Sequence, residues 1–189
     1  MTPRLAISGS AGCGKSTLAR ALAERHHVPY IEEEMRRLIE GGLDLHQVTP
    51  AEHRALISDQ LDGMVAAARA AVRDHGGFVC DRSPVDFAAF WLYFRFGFDR
   101  PATDRFFARV EAALEAFGPV VLLPHGALAL EDDGVRAANP WVQLHFHAVL
   151  EHLLRRMLPR ERLWLLPAGR RTVAQRTGWV EHRLTARRP

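Results

Sequence analysis

An α/β fold with a parallel sheet is what the 189-residue sequence predicts, and three observations carry that reading. Short apolar runs alternate with amphipathic stretches of helix length along the whole chain. Such alternation is the mark of parallel strands joined by right-handed helical crossovers. The first apolar run breaks at a cluster of glycines and passes directly into a helical pattern. No internal repeat and no low-complexity linker interrupts the chain, so residues 1–189 read as one domain.

The elements follow in order. Arg4–Ser8 is a short apolar strand that ends in glycines, and Leu18, Ala19, Leu22 and Ala23 place a helix over Ser16–His27. Val28–Ile31 is a second strand, followed by a helical stretch that stops at Gly41 and Gly42. Thr49, Pro50 and Glu52 supply an N-cap, a first-turn proline and the closing residue of a capping box. That helix is expected to run to about Asp74 and stop at Gly76 and Gly77. Phe78–Asp81 reads as a buried strand, and Ser83, Pro84 and Asp86 open an aromatic-rich helix through about Phe96. A helix over about Thr103–Phe117, a strand over Pro119–Leu123 and a loop-like stretch over His125–Asn139 come next. The pattern closes with a helix from Pro140 to about Leu158, a strand near Leu163–Leu166 and a last helix after Gly169.

Composition narrows the class. A quarter of the residues are charged and 48% are hydrophobic, which excludes a disordered or fibrous chain. No run of about 18 apolar residues exists to span a membrane. The N-terminus moves straight into a strand and leaves no room for a signal peptide. Cys13 and Cys80 fit no metal-ligand spacing and no disulfide framework, so the expected compartment is the cytoplasm. A formal net charge of +3 is too weak to argue for a nucleic-acid partner, although Arg170, Arg171, Arg176, Arg183, Arg187 and Arg188 make the last stretch locally basic. Lys15 is the only lysine, and every other one of the 25 basic side chains is arginine.

That lysine lies in Gly9-Ser10-Ala11-Gly12-Cys13-Gly14-Lys15-Ser16, which matches G-x-x-x-x-G-K-[ST] with a strand before it and a helix after it. Backbone N–H groups of such a loop curl around phosphate oxygens, and the following helix N-terminus, with Thr17, adds positive dipole. Lys15 is expected to reach the β- and γ-phosphates of ATP, and the Ser16 hydroxyl to hold Mg²⁺. A forked guanidinium is a poor substitute for a compact ammonium there. Asp81, at the end of an apolar strand, is the matching carboxylate for Mg²⁺. Its neighbour is Arg82, where an ATPase motor carries a glutamate that activates water. A guanine-specific GTPase needs a second lysine that the chain lacks. Both hydrolytic readings weaken, and small-molecule kinases remain.

The sequence resembles the P-loop small-molecule kinases of the nucleoside and nucleotide kinase group, in particular the nicotinamide-riboside kinase domain of the NadR type and related AAA-annotated ATPases. The resemblance rests on GSAGCGKST, YIEEEMRR, Gln60, CDRSPVD, DDGVR and a closing strand with PAG, and spans nearly the whole chain. It implies a three-layer α/β/α fold with a five-stranded parallel sheet and a lid at about 125–139. It implies ATP·Mg²⁺ as donor and a carboxylate after the second strand as base for the acceptor hydroxyl, with an arginine close by. Glu33 and Arg36 best match those positions, and the run Glu32-Glu33-Glu34 leaves the register open by one residue. Arg82 corresponds to an arginine that faces the acceptor or its phosphates, Arg136 to a lid arginine, and Gln60 to a residue facing the acceptor.

The expected function is therefore transfer of the γ-phosphoryl of ATP to a small metabolite, with a nucleoside or nucleoside-like riboside as leading acceptor. A nucleoside monophosphate kinase and a regulatory ATP-binding module with little catalysis are the alternatives. Phe87, Phe90, Trp91, Tyr93, Phe94 and Phe96 read chiefly as core at helical spacing, and His145, His147 and His152 as structural.

Overall fold

The computed structural model describes residues 2–44, 47–128 and 139–186. Its strands are β1 (Arg4–Ser8), β2 (Tyr30–Ile31), β3 (Phe78–Asp81), β4 (Val120–Leu122) and β5 (Leu163–Leu165). They form one five-stranded sheet in the order β2-β3-β1-β4-β5, and every pairing is parallel. Its helices are α1 (Lys15–His26), α2 (Glu34–Glu40), α3 (Pro50–His75), α4 (Pro84–Tyr93), α5 (Arg100–Ala113), α6 (Pro140–Met157) and α7 (Val173–Thr185).

Period-two alternation along the strands divides the core into two layers. Leu5 and Ile7 of β1, Val79 of β3 and Val121 of β4 face one side, where they pack with Leu18 and Leu22 of α1 and Val180 of α7. Ala6, Phe78, Cys80, Val120 and Leu122 face the other, against residues of α3, α4, α5 and α6. The result is the three-layer α/β/α arrangement expected from the resemblance. No helix among the described residues is long and apolar enough to cross a membrane.

Local chemistry explains the helix boundaries. At the head of α3 the Glu52 carboxylate accepts from the Thr49 N–H at 2.7 Å while Thr49 Oγ1 accepts from the Glu52 N–H at 3.3 Å. Gly76, at φ 78°, ends the helix. Two of the boundaries that differ from the sequence expectation have a clear local cause. The aromatic helix stops at Tyr93 rather than Phe96, because Arg95 turns to a left-handed φ of 65° and a short 3-10 turn, Phe96–Phe98, follows. The next helix starts at Arg100 rather than Thr103, because Asp99 accepts from the Ala102 N–H and Pro101 fits the first turn. The aromatics there are largely core: Trp91 stacks on Phe106 at 4.4 Å, and Phe90 lies 4.7 Å from Phe146.

β1 lies between β3 and β4, so the chain leaves the centre of the sheet in opposite directions on its two sides. Ligand crevices open at such a point, beyond the carboxyl ends of the strands. Leu150 of α6 is fully buried in the layer that it shares with α4. Leu150→Ala should lower the unfolding free energy by about 2–5 kcal/mol in urea titration. Thr49→Ala, which removes only a cap, should cost about 1 kcal/mol.

Candidate active site

The loop between β1 and α1 carries positive φ at Gly9, Gly12 and Gly14. At Gly14, with φ 87°, a side chain would also strike Arg176, since a Cβ there would lie 2.8 Å from Nη1. Lys15 is buried and its Nζ donates to the Ser10 carbonyl at 2.8 Å. Ser16 Oγ donates to Asp81 Oδ2, which also accepts from the Tyr30 hydroxyl at 3.4 Å. Burial, followed by the Asp81 charge, pushes the Tyr30 pKa up, which keeps that hydroxyl a donor.

Asp81 Oδ1 is buried and has no hydrogen-bond partner. An orphaned carboxylate oxygen beside a serine hydroxyl is a donor set of the hard oxygen type that Mg²⁺ takes with few protein ligands. No cluster of three or more His, Cys, Asp or Glu side chains suited to a metal occurs among the described residues. The residues present thus fit a magnesium ion shared with phosphates rather than an all-protein cage.

Arg82 is the other centre of charge. It is buried, at 4% exposure, with a φ of 96° that is rare outside glycine. Its Nε pairs with Glu33 Oε1 at 2.7 Å and its Nη1 with Asp86 Oδ1 at 3.2 Å, and the guanidinium lies 4.7 Å over the Phe90 ring. Asp86 in turn accepts from Ser8 Oγ at 2.5 Å and from the Ser83 N–H and hydroxyl, each at 2.9 Å. The two carboxylates and the backbone strain are thus held together by one cation.

Of the three consecutive glutamates only Glu33 points inward. Glu32 is exposed and pairs with Arg20, and Glu34 is exposed and pairs with Arg37. Glu33, Gln60, Asp81 and Phe87 line one small pocket beside the glycine loop, with Ile31 and Met64 as apolar wall. Gln60 is buried there. Arg36 stands in α2, but its side chain lies outside the described residues, as do Arg136 and residues 129–138 of the expected lid.

Three residues at the loop have no counterpart in the sequence reading. Gln143 of α6 accepts the Ala11 N–H at 2.9 Å, and His125 Nδ1 lies 3.4 Å from Ser10 Oγ. Arg176 donates to the Cys13 carbonyl at 2.6 Å. The sequence places Arg176 only in a locally basic stretch, and the structure buries it at 3% exposure. His147, read as structural, packs its ring 5.7 Å from that of His125.

Strand, glycine loop and helix, with the carboxylate of the third strand on the loop serine, define a P-loop nucleotide-binding fold of the kind found in small-molecule kinases. The family described as the AAA domain matches residues 4–169, and the chain belongs to it. No curated protein sequence matches the chain. Among solved structures, NadR in complex with NAD and AMP-PNP superposes on 100% of the chain, with a TM-score of 0.73 and 16% identity. The chain spans only about half of that protein, 51% of its length. Deoxyadenosine kinase from M. mycoides with bound dATP covers 96% of this chain and 99% of its own, with a TM-score of 0.61 and 12% identity. YorR from Bacillus subtilis, in complex with phosphorylated GDP, covers 96% and 95%, with a TM-score of 0.58 and 13% identity.

Arg82→Met should leave Glu33 and Asp86 buried without their counter-charge and destabilise the fold by about 3–5 kcal/mol in urea titration. Two histidines set a pH dependence. Burial lowers the pKa of His53, and burial, opposed by Glu151, lowers that of His147, both from the usual 6.5. The folded state then binds protons less readily than the unfolded one. Their contribution to stability is complete above pH 6.5 and is lost as pH falls. The urea midpoint should drop between pH 7 and pH 5, and the His53→Gln/His147→Gln pair should flatten that slope; an unaltered slope would assign it to carboxylates instead.

Proposed function

We propose that the protein is a kinase that transfers the γ-phosphoryl group of ATP to a hydroxyl of a small nucleoside-like acceptor. The observation that carries this reading is the placement of Glu33, held by Arg82, in the pocket that also contains Asp81. A carboxylate in that position shares its pocket with Asp81, which the loop residue Ser16 bonds.

Each residue then has a task. The backbone of Gly9–Gly14, with Thr17 at the helix start, cradles the donor phosphates, and Lys15 leaves the Ser10 carbonyl for them. Ser16 and Asp81 would hold a magnesium ion, which would supply neutralising charge to the phosphates. Glu33 takes the acceptor hydroxyl proton as the oxygen bonds to the γ-phosphorus and the bond from that phosphorus to the β–γ bridging oxygen breaks, releasing ADP, and Arg82 fixes the rotamer of that carboxylate. Gln60 offers a polar contact to the acceptor, while the roles expected of Arg36 and Arg136 fall on side chains outside the described residues.

Electrostatics favours a nucleoside over a nucleotide as acceptor. The pocket is lined by Glu32, Glu33, Glu34 and Asp81, and no described basic side chain lines it. Arg82 is already committed to two carboxylates. An acceptor phosphate would enter a field of like charge. The likeness in fold to NadR, solved in complex with NAD and AMP-PNP and in complex with NR, and to deoxyadenosine kinase supports the same class of acceptor.

ADP release from ATP should depend on an added nucleoside or riboside and stay at background with nucleoside monophosphates. Release that ignores the acceptor would favour a regulatory nucleotide-binding module. Lys15→Ala should lower turnover by about a hundredfold or more. Glu33→Gln should slow transfer by about 10²–10⁴-fold while ATP binding, measured by calorimetry, is kept. Asp81→Asn should weaken the magnesium dependence with every acceptor.

A further inference from the structure

Arg176 lies in the first turn of α7, far from the glycine loop in sequence, yet its side chain ends against that loop. It is 3% exposed, while its neighbours Arg170 and Arg171 are exposed. Nη1 donates to the Cys13 carbonyl at 2.6 Å and Nε to the Arg170 carbonyl at 2.9 Å. Nη2 is buried with no hydrogen-bond partner. None of the ion pairs among the described residues includes Arg176. The structure thus buries a full positive charge against two carbonyl dipoles and no carboxylate. Such a group is costly unless an anion completes it.

The contact with Cys13 has a second consequence. In a planar trans peptide the carbonyl and the following N–H point in opposite directions. Arg176 draws the Cys13 carbonyl outward, to the α7 side of the loop, and so turns the Gly14 N–H to the opposite side. Gly14 is the residue before Lys15, where the loop turns into α1, and its N–H is among those that a bound phosphate requires. The same guanidinium leaves no room for a side chain on Gly14. The glycine is therefore required both by its φ of 87° and by the arginine packed on it.

We propose that Arg176 is a positioning residue of the phosphate loop: it aims the Gly14 N–H into the cradle, and its buried positive charge, felt across the thin loop, favours the phosphates of the bound nucleotide. This rests on the binding of nucleotide phosphates by the loop and not on phosphoryl transfer, so loss of the kinase reading leaves it in place. The link through the Arg170 carbonyl also ties the segment after β5 to the loop, which makes the start of α7 part of the nucleotide site.

The test is calorimetric binding of ADP and of inorganic tripolyphosphate to the whole chain, with melting temperatures of the unliganded proteins. Loss of a charge-assisted bond and of the amide it orients should weaken both probes by a similar factor, ~10–100-fold, in Arg176→Met. The unliganded Arg176→Met protein should melt near the wild-type temperature, because the variant also removes an unbalanced buried charge. Arg176→Lys, which keeps the charge but cannot bridge both carbonyls, should bind tripolyphosphate with an affinity between wild type and Arg176→Met. Wild-type affinity for both probes in Arg176→Met overturns the proposal, and so does a loss confined to ADP, which would mark a contact with the base. If Arg176→Met does not fold, Arg176→Lys decides: weakened tripolyphosphate binding supports the role and wild-type binding overturns it. A wild-type protein that binds neither probe overturns the phosphate-loop reading itself, which is a distinct result.

Discussion

The guanidinium of Arg82 joins the ends of three parallel strands and the start of a helix, and the geometry of the site depends on it. It follows β3 directly, pairs with Glu33 beyond β2, and reaches Asp86 in α4, which in turn accepts from Ser8 at the end of β1. Burying three charges in one cluster is costly, and the cluster is tolerated because each carboxylate faces the same cation and Asp86 also accepts several hydrogen bonds. The left-handed backbone of Arg82 persists for the same reason. A lysine there could not serve two carboxylates from one rigid plane.

This arrangement divides the crevice electrostatically. On the side of the glycine loop the field is positive, from Lys15, the start of α1 and the buried charge of Arg176. On the side of β2 the field is negative, from Glu32, Glu33, Glu34 and Asp81. Asp81 stands at the boundary and touches both halves, through Ser16 and through Tyr30. Two substrates with different charge can be sorted by such a boundary before any specific contact forms.

The loop itself is held from several directions. Lys15 bonds the Ser10 carbonyl, Gln143 takes the Ala11 N–H and Arg176 takes the Cys13 carbonyl. These contacts satisfy polar groups of the loop that would otherwise stand unpaired. They come from α1, α6 and α7, so the packing of these helices on the sheet controls the shape of a loop only a few residues long.

The sequence by itself determined the sheet, the order of its elements and the phosphate loop, because these are written in contiguous residues. Period-two strands, capping boxes at Thr49 and Ser83, and glycines beside a lone lysine each act within a few positions of the chain. It also placed Glu33, Gln60, Asp81 and Arg82 as candidates, but left the register along Glu32, Glu33 and Glu34 open by one residue. Tertiary structure separated those three, since only Glu33 meets the buried Arg82 while its neighbours find exposed arginines. The same holds for Gln143 and Arg176, which reach the loop from 132 and 163 residues away. A single polar side chain in an amphipathic helix leaves no periodic trace in sequence. Its partner is set by how the helix packs, and only the folded chain brings the two together.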